Sequence, residues 1–229
     1  QNIGYSEATY TASTVEKFCG IPFEEQLDAL NQARAWASEE LGIEGHFILD
    51  IVRGQSPDEA MKTVDWVTAS LGNGVCALGI AGYEKLGTKQ YAEVFQEVRR
   101  RGIPVTAHAG ETEGAWSVWE TLEVTGCKRI GHGVRSLDDP SLIEHLAREQ
   151  VLLEICPTSN VRLGVYNSLA DHPVQKLRDA GVRVTINSDD PPMFGTTLTD
   201  EFLSCAETFG WSTEDLKRMT VEADSARFA

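Results

Sequence analysis

Short apolar runs alternate with longer stretches of helical spacing along almost the whole chain. The runs predict strands over 4–9, 47–52, 75–80, 105–108, 129–131, 151–155 and 182–187. Several are apolar at nearly every position, as expected when both faces of a parallel strand are covered. Between them, 23–41 places Leu27, Leu30, Ala33 and Ala37 at three- and four-residue spacing, which predicts an amphipathic helix. Ser56-Pro57-Asp58-Glu59 supplies an N-cap, a first-turn proline and two acids. Asp139-Pro140 and His172-Pro173 open two further helices in the same manner, and Gly102 and Gly181 follow helix ends just before strands.

Strict β/α alternation implies a parallel sheet with helical crossovers. An open doubly wound sheet should show a Gly-x-Gly-x-x-Gly turn after an early strand, and the sequence has none. A (β/α)8 TIM barrel instead gathers its active residues at the C-terminal ends of strands. His108-Ala-Gly-Glu111, Gly131-His132-Gly133, Cys156-Pro-Thr-Ser-Asn160 and Asn187-Ser-Asp189-Asp190 all stand where a predicted strand ends. The expectation is therefore an α/β barrel forming one domain over 1–229. Seven strands are predicted where a closed barrel needs eight, so the first strand is expected to be missing.

The 229 residues are 41% hydrophobic and carry a net charge of −15. That acidity disfavours a nucleic-acid partner, whose phosphates it would repel. No apolar run reaches the length of a membrane span, and no signal-peptide pattern opens the chain. Five scattered cysteines without a Cys-x-x-Cys pair read as reduced thiols, in keeping with a cytoplasmic home.

The strand-end motifs carry the chemistry. A histidine closing a buried strand points into a barrel mouth, and Gly110 lets the chain turn so that Glu111 faces the same space. Glycines on both sides of His132 allow close backbone approach. Asp189 and Asp190 repel each other unless a cation or hydrogen-bond donors absorb their charge. Histidine and carboxylate suit Zn2+, which can ionise a bound water near neutral pH, while a second acid protonates the substrate. Metal-assisted hydrolysis is the reaction these groups can perform. Ser159 and Asn160 are expected to brace their loop, and Cys156 to be a packed thiol. Trp116 and Trp119 suit either water exclusion or helix packing. His46, His145 and His172 read as structural or solvated.

Taken together, the four motifs resemble the adenosine deaminase family of zinc-dependent amidohydrolases, in the same order along the chain. The resemblance implies replacement of a purine amino group by oxygen, with release of ammonia from a small-molecule nucleoside or base. It implies that His108 and Asp189 are zinc ligands and that Glu111 protonates ring nitrogen N1. His132 and Asp189 would position and deprotonate the attacking water, Asp190 would hydrogen-bond N7, and the Gly82 backbone would contact N3. The family's His-x-His pair, which supplies two more ligands to one Zn2+ per subunit, does not occur here. It is expected upstream of Gln1, and 229 residues alone are expected to be inactive. The family's adenosine enzymes carry Asp where this chain has Gly79, so adenine and aminodeoxyfutalosine stand beside adenosine as substrates. A non-catalytic purine-binding barrel and a hydrolase cleaving an ester or amide are the competing readings. The Pro-Cys-x-x-Cys signature of cytidine-type deaminases is absent.

Overall fold

A computed structural model describes residues 2–229, which divide into two compact units. The first comprises 2–107, 123–127 and 228–229, and the second 108–122 and 128–227.

The first unit opens with β1 (Tyr5–Tyr10), α1 (Ala12–Cys19), α2 (Phe23–Leu41) and β2 (Glu44–Val52). It continues through α3 (Pro57–Ser70), β3 (Val75–Ala81) and α4 (Ala92–Arg100), and it holds the start of β4 (Thr106–Ala109). β1, β2 and β3 form a parallel sheet in that order. β3 is buried over its first six residues, the run that its continuous apolar sequence predicts. α3 starts on a complete capping box between Ser56 and Glu59, and it buries Ala60, Val64 and Val67 along one stripe. Burial of each such valine contributes about 1.5–3 kcal/mol. Gly79 lies opposite Asp50 of β2, where an added Cβ would come within 3.1 Å of the Asp50 Cβ.

The second unit takes the end of β4, then β5 (Arg129–His132), α6 (Pro140–Arg148), β6 (Leu152–Ile155) and α7 (Pro157–Arg162). It ends with α8 (Val174–Asp179), β7 (Arg183–Ile186), α9 (Pro191–Phe194), α10 (Leu198–Phe209) and α11 (Thr213–Ser225). Between β4 and β5, α5 (Ala115–Thr125) runs across the division of the chain. β5, β6 and β7 are parallel neighbours in chain order. Ile130, Leu152, Leu153 and Ile155 from these strands are fully or almost fully buried, as are Leu142 and Leu146 of α6 and Leu177 of α8.

All seven expected strands form, and they differ from expectation only at their ends. β2 begins at Glu44 instead of Phe47 because the polar Glu44, Gly45 and His46 still pair with Tyr5, Ser6 and Glu7. Ladder hydrogen bonds need no apolar side chains, so periodicity cannot see such an extension. Among the described residues no helix is long and apolar enough to cross a membrane.

Candidate active site

The strand ends of the second unit place five of the expected residues together. His108 lies within β4 and Glu111 two residues past its end, His132 closes β5, and Asp189 and Asp190 follow β7. The sixth, Gly82, follows β3 in the first unit with φ +91°.

Two of these positions are held in unusual backbone conformations. His132 has φ 63° and Asp189 φ 55°, both in the left-handed region that non-glycine residues seldom occupy. Such a conformation costs on the order of 1–3 kcal/mol and persists where surrounding contacts fix it. The contacts are dense here. Gly110 has φ +68°, and a Cβ on it would meet Val118 Cγ2 at 2.5 Å. Gly133 has φ +67°, and a Cβ there would sit 2.6 Å from Leu153 Cδ2. Gly131 leaves its space to the His108 ring, which lies 5.3 Å from the His132 ring between centroids.

A hydrogen-bond network joins the side chains. The Asn160 amide donates to Glu111 Oε1 at 2.9 Å and approaches His132 Nδ1 at 3.3 Å. His132 Nδ1 is 3.4 Å from Glu111 Oε1, and its Nε2 is 3.9 Å from Asp189 Oδ2. The Ser159 hydroxyl donates to Asp189 Oδ2 at 2.7 Å. Ser159 and Asn160 thus brace the candidate catalytic groups directly, beyond the loop to which the sequence assigned them. Both ride on α7, whose first turn is anchored by Glu201. That buried carboxylate accepts from the Thr158 N–H at 3.1 Å and from the Thr196 hydroxyl at 2.9 Å.

Of the two readings given to His172, structural or solvated, the structural one holds. It is buried, it approaches Asn160 Oδ1 through Nε2 at 3.1 Å, and burial lowers its pKa to about 4. Its ring meets Tyr166 edge-on at 5.2 Å. Trp119, by contrast, belongs to helix packing. Its indole N–H donates to Asp139 at 2.9 Å and its ring lies 4.8 Å from that of His145.

The electrostatics suit a cation. Desolvation raises the Asp190 pKa first and the Asp189 charge adds to it, while His108 acts in the opposite direction. Ligand-type atoms of His132, Cys156 and Asp189 all lie within 4.8 Å of one another. Within that trio Cys156 is the weakest donor, because burial followed by the surrounding carboxylates pushes its thiol pKa well up. Its Sγ instead approaches the Glu154 carbonyl at 3.7 Å. With Cys156 set aside, the donors near Asp189 are imidazoles, His132 and, with its ring 5.3 Å from that of His132, His108; imidazole nitrogen and carboxylate oxygen are the donor types a borderline divalent ion takes.

Sequence reading did not anticipate the parts played by His172 and Glu201. Glu201 carried a signal, since it lies four residues before Cys205 on the buried stripe of α10. An acid on an apolar stripe requires internal partners.

The sequence model of the adenosine deaminase family matches residues 1–229. An adenine deaminase of Sinorhizobium fredii is 39% identical over 210 residues, covering 91% of this chain and 65% of that protein. The chain thus spans less than two thirds of that relative's length. Among solved structures, an adenine deaminase from Arthrobacter aurescens is similar with a TM-score of 0.91 at 28% identity, covering 99% of this chain and 69% of that one. An amidohydrolase from Burkholderia ambifaria with bound Zn gives a TM-score of 0.92 at 25% identity, covering 100% of this chain and 64% of that one. The structural neighbours are TIM-barrel amidohydrolases, and the α/β fold with parallel sheets is consistent with a partial (β/α)8 barrel.

Proposed function

The chain belongs to the adenosine deaminase family, and from that premise we propose that it carries the centre of a hydrolase that deaminates an aminopurine, with free adenine as the substrate. The observation that carries this reading is the convergence of Glu111, His132 and Asp189 on Asn160 and Ser159 in one unit. The names of the Sinorhizobium fredii and Arthrobacter aurescens relatives favour adenine over adenosine, the first expectation.

His108 and Asp189 would hold one Zn2+, in line with the Zn-bound relative. The chemistry such an ion supplies when bound is to acidify water toward neutral pH. Glu111, held at Oε1 by the Asn160 amide, hands a proton to ring nitrogen N1 and makes C6 electrophilic. His132 and Asp189 line the side from which water attacks, and between them they position it and take its proton. Asp190 hydrogen-bonds N7. Ammonia leaves as the amino group is replaced by oxygen.

Turnover by the full-length protein on adenine, adenosine and 5′-modified adenosines tests the substrate. Ammonia release fastest on adenine is expected. A clear preference for a nucleoside would overturn the choice of base, and release from none of them would overturn the deaminase reading.

A further inference from the structure

His172 stands outside the groups assigned above, yet it ends a chain of hydrogen bonds whose direction can be worked out from its far end. The backbone N–H of Val174 can only donate, and it points at His172 Nδ1 at 3.3 Å. Nδ1 is therefore the acceptor, and the proton of the neutral ring sits on Nε2. That nitrogen faces an Asn160 side-chain atom at 3.1 Å, which must accept and is therefore Oδ1. With its oxygen so fixed, the Asn160 amide presents both N–H bonds to Glu111 Oε1 and His132 Nδ1. Asn160 is fully buried, and in this arrangement all of its side-chain hydrogen-bonding groups are used. His132 Nδ1 is then an acceptor, so neutral His132 carries its hydrogen on Nε2, the nitrogen on the Asp189 side.

We propose that His172 is a positioning residue which, through Asn160, fixes the tautomer of His132 so that this ring orients the attacking water by donating from Nε2 instead of taking its proton. The proposal rests on the deaminase reading for its consequence in turnover, but not for the tautomer itself. It divides work that the resemblance left shared between His132 and Asp189. It also accounts for a buried, neutral histidine at a position that, from the sequence, need only precede a helix-opening proline. A histidine in this place has one ring nitrogen for Val174 and one for Asn160. An apolar residue would leave Asn160 Oδ1 without its donor and free the amide to turn over.

The experiment is nitrogen NMR of histidine-labelled, metal-loaded full-length protein, read together with steady-state kinetics on adenine. In the unsubstituted protein both His172 and His132 are expected to show a protonated Nε2 and a bare Nδ1. His172→Leu is expected to abolish the single tautomer of His132 and to lower kcat by roughly 10–100-fold with bound metal unchanged. His172→Gln, whose amide can donate where Nε2 did, is expected to recover most of both signals. A protonated Nδ1 on either ring of the unsubstituted protein would overturn the relay, and that arm needs no variant to fold. A His172→Leu protein that keeps the His132 tautomer and full kcat would overturn it as well, as would a Gln variant as impaired as the Leu variant. Failure of the deaminase reading has a different signature: no turnover in the unsubstituted protein, with both tautomers as expected.

Discussion

At the start of β5 the Arg129 guanidinium grips Glu154 through Nε at 3.1 Å and donates to the Ala226 carbonyl at 3.0 Å, while at the start of β7 Arg183 pairs with Glu222. Just beyond Glu154, which stands level with Gly131, the hydrogen-bond donors past the strand ends are of another kind: an amide holds Glu111, a hydroxyl holds Asp189, and imidazoles stand between. An arginine–carboxylate pair is charge-assisted, and the planar guanidinium fixes its geometry. Neutral donors hold a carboxylate in place without forming an ion pair with it. The arginine-held carboxylates are thus suited to holding the unit together, and the groups past the strand ends to chemistry.

Substitutions in the two sets should separate these roles. The largest effect is expected for Asp189→Ala, which removes a proposed ligand and the partner of Ser159. Both bound metal and turnover should be lost, as read by elemental analysis and ammonia release on one preparation. Arg129→Gln should do the opposite. It should cost about 1–3 kcal/mol of unfolding free energy in urea, since it leaves Glu154 and a backbone carbonyl short of a donor. Turnover per folded molecule should not change. A loss of kcat in that variant would erase the contrast between the two sets.

A smaller effect concerns pH. The folded-state pKa of His172 is lowered to about 4, against 6.5 for the ordinary group. Between these values the unfolded chain binds the proton and the folded one does not, so stability rises with pH across that window. The contribution is complete above about pH 6.5, disappears as pH falls toward 4, and amounts to at most about 3 kcal/mol. Urea titrations at pH 4.5 and 7 should show the loss, and His172→Gln should flatten that part of the profile.

Most of the architecture could be read from apolar runs and caps, because parallel strands buried on both faces leave a continuous signal. Ser56 and Asp139 each cap the helix assigned to them. The strand-end positions of His108, Glu111, His132, Asp189 and Asp190 were legible as well, since these polar residues stand where apolar runs stop. Other features were not. The left-handed conformation of His132 and Asp189 has no compositional mark, because neither position carries the glycine that usually signals it. The relay joins His172 to Asn160 across 12 positions, and Asn160 to His132 and Glu111 across 28 and 49, and a lone histidine before a proline looks the same whether solvated or buried. For Trp119 the sequence left water exclusion and helix packing open, because an aromatic ring near an acid suits a lid and a helix contact equally.

Glu111→Gln in the full-length protein tests the central claim most directly, because the amide keeps the size of the side chain and removes its proton. The account expects turnover on adenine to fall by roughly 10²–10⁴-fold with metal content unchanged. Near-normal turnover would contradict it.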